Sequence, residues 1–60
     1  MTVEVLEGLL RAAVAERQAL RDRGISADAL EQNRRRIVAL QWAFSHALVE
    51  RFASAEPRAA

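Results

Sequence analysis

Apolar residues recur along this chain at alternating steps of three and four. The first series is Val3, Leu6, Leu10, Ala13, Arg17 and Leu20. The second is Leu30, Asn33, Ile37, Leu40, Phe44, Ala47 and Arg51. This spacing keeps one stripe of an α-helix apolar, so the pattern predicts an all-α fold of two long helices. Helix 1 spans about residues 2–23 and helix 2 about residues 27–52, roughly 33 and 39 Å at the α-helical rise.

Stop and start signals crowd between the two series. Gly24 stands where a left-handed C′ residue ends helix 1, which makes Ile25 C″ and Leu20 C3, the hydrophobic pair of a Schellman motif. Ser26 is an N-cap for helix 2, and Asp28 follows in its first turn, where negative charge suits the dipole. Ile25 and Leu30 then stand at the two positions of a hydrophobic staple. A turn of residues 24–26 makes the helices antiparallel neighbours.

Folding back at the turn sets the two series face to face. The predicted layers pair Leu20 with Leu30, Arg17 with Asn33, Ala13 with Ile37, Leu10 with Leu40, Leu6 with Phe44, and Val3 with Ala47. Two layers set a large residue against alanine, which is how facing positions interdigitate. One layer is polar on both helices at once. Such a layer fixes register at some cost in stability, and Arg17 can carry its head group to solvent.

One hairpin does not use up the apolar surface. Val5, Leu9 and Ala12 widen the stripe of helix 1 on one side and Val14 on the other. Leu48 and Phe52 widen that of helix 2. Val38, Trp42 and Val49 form a separate patch, more than about 100° around helix 2 from the main stripe. Exposed apolar surface of this extent marks an association site. The expectation is a homodimeric four-helix bundle whose interface uses Val5, Leu9, Val38, Trp42, Val49, Leu48 and Phe52. Gly8, Ala12, Ala15 and Ala19 form a row of small residues on helix 1, suited to close helix approach or simply to helix propensity.

Size strengthens this expectation. A domain of 60 residues buries only about 60% of its unfolded surface and is marginal alone. With no cysteine and one histidine, neither disulfides nor a structural zinc site can supplement the core, so association remains. The hairpin occupies residues 1–53. Residues 54–60 lose the apolar period and contain Pro57, and are expected to form a flexible tail. The opening Met1-Thr2-Val3-Glu4 lacks the basic and apolar regions of a signal peptide, and no apolar run approaches the roughly 20 residues of a membrane span. The expectation is a cytoplasmic protein without a membrane partner.

Charge is unevenly distributed. Residues 1–16 hold Arg11 against Glu4, Glu7 and Glu16. Residues 17–36 hold Arg17, Arg21, Arg23, Arg34, Arg35 and Arg36 against Asp22, Asp28 and Glu31. Those six arginines make the hairpin-loop end a candidate patch for anions or nucleic acid. Against that reading, Arg34, Arg35 and Arg36 point about 100° apart, no aromatic is interleaved for base stacking, and Glu31 stands four residues before Arg35, as Glu7 does before Arg11. The net charge is only +1.

Other chemistry has little support. His46 and Glu50 are an i,i+4 pair, suited to a surface hydrogen bond, but no Glu-x-x-His repeat exists to build a metal site. Ser45 and His46 are adjacent on a helix and diverge by about 100°, so they form no dyad. There is no glycine-rich loop. The reading is therefore of a protein–protein interaction module, an adaptor, regulator or subunit of a larger assembly, without catalysis, cofactor or metal. Nucleic-acid binding by the arginine-rich end is the alternative. In size, hairpin and heptad pattern the chain resembles the Rop family of plasmid copy-control proteins, helical hairpins that dimerise into a four-helix bundle and bind paired RNA loops. The resemblance is one of architecture and transfers no functional residue.

Overall fold

A computed structural model of the protein describes residues 1–55. It contains two contacting helices, α1 (Val3–Asp22) and α2 (Ala27–Ala55), and no strand among the described residues. Each boundary has a local cause. The Thr2 hydroxyl accepts from the Val5 amide at 3.2 Å, making Thr2 the N-cap of α1 rather than its first residue. At the other end Arg23 is the C-cap and Gly24 adopts φ +64°. The Ile25 amide donates to the Leu20 carbonyl and the Gly24 amide to the Arg21 carbonyl, both at 3.1 Å. These are the two bonds of a Schellman motif. Ser26 Oγ then accepts from the Ala29 amide at 3.4 Å and starts α2.

The helical hairpin expected from the heptads is present, in the expected register. Of the thirteen heptad positions, only Arg51 is exposed; the others are buried or half-buried. The Arg17 guanidinium donates to Asn33 Oδ1 across the seam at 3.4 Å, which aligns that layer as the sequence predicts. The core is nevertheless thin. Among the described residues only Leu6, Ala13 and Asn33 are fully buried. Two helices form a single layer, and ten of the thirteen heptad side chains keep some exposure to solvent.

α2 runs three residues past Phe52, to Ala55. Loss of the apolar period at Ala53 does not end it, because alanine is the best helix former and propagation costs little once a helix exists. The rest of the expected tail, residues 56–60, lies outside the described residues. With Val3 level with Ala47, the last two turns of α2 overhang the start of α1.

Candidate functional site

The open end of the hairpin is clamped by charge. Arg51 Nη1 and Nη2 donate to the two carboxylate oxygens of Glu4, each at 2.8 Å. Helical side chains lean towards the N-terminus of their own helix, so Arg51 reaches back from the overhang to the first turn of α1. Its two hydrogen bonds hold the Glu4 carboxyl down at about 2, well below the usual carboxylate range. Both side chains are exposed, so the clamp is screened by salt. The two residues stand 47 positions apart, so no i,i+4 spacing marks the pair. Extending the heptad register to its last position, Arg51, brings it near Glu4.

The polar layer lies nearer the turn. Asn33 is 3% exposed. Its Nδ2 donates to the Ala13 carbonyl and to Glu16 Oε1, both at 3.0 Å. Arg17 Nη1 serves Asn33 Oδ1 and the Leu30 carbonyl, the latter at 3.3 Å. Among the described residues no buried side-chain polar atom lacks a partner. An open cleft beside this layer is lined by Glu16, Leu20, Ala29, Gln32, Asn33 and Arg36. Both hydrogens of the Asn33 amide are used within the hairpin.

The six arginines of the candidate anion patch do not converge. Arg17 is drawn into the seam. Arg34 makes a bidentate pair with Glu31 at 2.8 and 2.9 Å, and Arg35 joins the same carboxylate at 3.2 Å. Arg34, with Arg35 adding to it, holds the Glu31 carboxyl down at about 2, and Glu31 in turn raises Arg34. Arg36 turns to the cleft side with Glu16. Arg21 and Arg23 are exposed at the turn. Glu7 pairs with Arg11 at 3.3 Å, as their spacing predicts.

Apolar surface remains where the heptads do not reach. Trp42 is 66% exposed, Val49 67%, Phe52 69%, Val5 49% and Val38 38%. Leu9 and Leu48, of the same candidate interface, are half-buried. At about 100° per residue, Val5 and Leu9 lie on the side of α1 that carries Glu16, hence on the cleft side of the hairpin. Leu48 and Phe52 lie on the opposite side, and Val38, Trp42 and Val49 on the outer face of α2. The seven candidate residues are therefore divided among three sides of the hairpin, of which the last two adjoin around α2. Gly8, Ala12, Ala15 and Ala19 are exposed on α1.

Val38, Gln41, Trp42 and Ser45 enclose a shallow hollow of about 220 Å³ on the outer face of α2. The ring of His46 stacks on Trp42, with centroids 5.8 Å apart and planes at 29°. His46 thus turns to Trp42, four residues before it, and no hydrogen bond to Glu50 forms. Aromatic residues at i,i+4 are the sequence signal for that stack.

The described residues contain no group of three or more potential metal ligands. No described helix is long and apolar enough to cross a membrane. Comparison with protein-family models, with curated proteins and with solved structures finds no match to this chain.

Proposed function

We propose that this protein is a small cytoplasmic interaction module, in which two hairpins associate into a four-helix bundle that acts as an adaptor, regulator or subunit without catalysis. One observation carries the reading. Val5, Val38, Trp42, Val49 and Phe52 are among eight large apolar residues exposed on a hairpin in which, among the described residues, three are fully buried. A chain of this size with no disulfide is marginal alone, and a second copy covers the surplus by the symmetric route most oligomers take. The arginine-rich end supports nucleic-acid binding less well. Half of its six arginines are engaged by Glu31 and Asn33, and the rest diverge.

The test is molar mass by light scattering over a concentration series, on the wild type, Trp42→Ala and the double variant Arg34→Glu, Arg35→Glu. The wild type is expected at twice the chain mass at high concentration. Trp42→Ala shifts the midpoint at least tenfold upward and keeps its helical content, because the ring is mostly outside the hairpin. The arginine variant assembles as the wild type does. A folded monomer at all concentrations would sink the homodimer. Salt-sensitive nucleic-acid binding that the arginine variant loses would establish the alternative.

A further inference from the structure

The outer face of α2 carries a second heptad seam. Val38, Trp42, Ser45, Val49 and Phe52 follow steps of four, three, four and three, rotated by about 130° from the residues that face α1. All five are exposed. About Ser45 the seam is close to two-fold in position: Val38 and Phe52 stand seven residues to either side, while Trp42 stands three before and Val49 four after, so those two meet one residue, about 1.5 Å, out of level. Laid antiparallel on a copy of itself, it sets Val38 opposite Phe52, Trp42 opposite Val49, and serine opposite serine. Each flanking layer then pairs an aromatic residue with a valine, and the smallest residue sits on the axis, where the helices approach most closely. A parallel copy instead sets tryptophan on tryptophan next to serine on serine.

The hollow on this face fits the same arrangement. Val38, Gln41, Trp42 and Ser45 stand at i, i+3, i+4 and i+7, the four corners of a hole that accepts a knob from a facing helix. The hole is centred between Gln41 and Trp42. An antiparallel copy turning about Ser45 brings its own Val49, 67% exposed in the hairpin, over that centre. The symmetry fills two holes with two knobs.

Charge selects the same direction. Arg34, Arg35 and Arg36 lie about ten residues before Ser45, so antiparallel copies hold these clusters roughly 30 Å apart, more than three Debye lengths at physiological salt. A parallel seam would stack them side by side. The exposed parts of the four apolar side chains come to on the order of 450 Å² per copy. The seam then buries at most about 900 Å² in all, below the range of stable specific interfaces and within that of weak, reversible ones.

We infer that a second copy of this chain docks antiparallel along the outer face of α2, on an axis at Ser45, with Val49 of each copy seated in the Val38–Gln41–Trp42–Ser45 hollow of the other. The inference rests on the homodimer reading and assigns its face and orientation; because the seam lies about 130° around α2 from α1, the hairpins meet through their α2 helices alone, in an open four-helix array rather than a bundle closed around one core. The chain has no cysteine, so Ser45→Cys and Gln32→Cys, both at exposed positions, each accept one nitroxide label. Double electron–electron resonance is measured on each, with the mass of the labelled and unlabelled chains at the same concentration; a dimer that the Ser45 label alone turns monomeric supports the contact at Ser45. Expected are Ser45 labels within roughly 20 Å, for helix axes about 10 Å apart, and Gln32 labels roughly 40 Å apart, thirteen residues to either side of the axis. Short distances at both sites mean a parallel seam and overturn the inference. Ser45 labels beyond about 30 Å in a sample of dimeric mass overturn it while leaving the homodimer on another face. A monomeric mass of the unlabelled chain without dipolar coupling overturns both. Val49→Asp puts a charge into the hollow and should shift the monomer–dimer midpoint at least tenfold. An unchanged midpoint overturns the seat assigned to Val49.

Discussion

The side-chain amide of Asn33 donates to the main-chain carbonyl of Ala13 at 3.0 Å, across the seam between the two helices. Asn33 is the buried centre of a cluster that also holds Glu16 and Arg17. Removing it with Asn33→Ala strips partners from both charged residues and is expected to cost about 1–3 kcal/mol. Asn33→Leu strips the same partners but fills the space, so it should cost less than Asn33→Ala. Its register should loosen, because a leucine layer tolerates slippage that a hydrogen-bonded layer does not. Denaturant titration gives the stabilities and the dispersion of amide NMR signals reports the register. A sharp, singly populated spectrum for Asn33→Leu would deny the layer a role in specificity.

The two glycines of the chain should respond with opposite signs. Gly24 holds φ +64°, and a Cβ there would meet nothing within 4 Å. Gly24→Ala is thus penalised by backbone conformation alone, by about 1–2 kcal/mol, and Gly24→Asn by less. Gly8 is helical and a Cβ there also meets nothing within 4 Å. Gly8→Ala should stabilise the hairpin by up to about 1 kcal/mol. Thermal melts of the three variants check this. A loss of stability in Gly8→Ala would mean that another helix approaches α1 there.

Stability should fall in acid through Glu4 and Glu31. Both carboxyls are held at about 2 in the folded chain, against an ordinary value of 4.5. The unfolded chain therefore binds their protons more readily. The contribution of the two pairs is complete above pH 4.5 and is lost as the pH falls towards 2. In the variant Glu4→Gln, Glu31→Gln the melting temperature should vary less over that window. High salt should flatten the wild-type curve as well, since both pairs are solvent-exposed. Identical pH profiles for variant and wild type would show that the pairs contribute nothing in solution.

Trp42 is the only tryptophan, which makes its fluorescence a local report on the outer face of α2. At 66% exposure in the hairpin, its emission should shift to the blue with rising concentration, along the same curve as the molar mass. Emission that stays red while the mass doubles would place the contact elsewhere.

Much of the fold was legible in the sequence because its determinants are local. Gly24 and Ser26 act through bonds to residues within five positions, and heptad spacing by itself decides which side of each helix is apolar. The layer of Arg17 with Asn33 could be paired on paper because both residues break the apolar pattern at the same distance from the turn. Glu4 with Arg51 and Trp42 with His46 were less legible. The first joins residues 47 positions apart. The second competes with the equally spaced His46–Glu50 pair, and spacing alone does not rank a stack against a hydrogen bond.

By itself, then, the sequence determined two helices, the turn between them and the register in which they meet, since helical periodicity and capping depend only on near neighbours. The tertiary structure alone decided how much of each apolar side chain stays in water, and that Val5 and Leu9 part company with Leu48 and Phe52. It also decided that Arg51 reaches across the open end to Glu4, 47 positions away. Those outcomes depend on the angle at which each side chain leaves its helix relative to a second helix. That angle exists only once the two are packed.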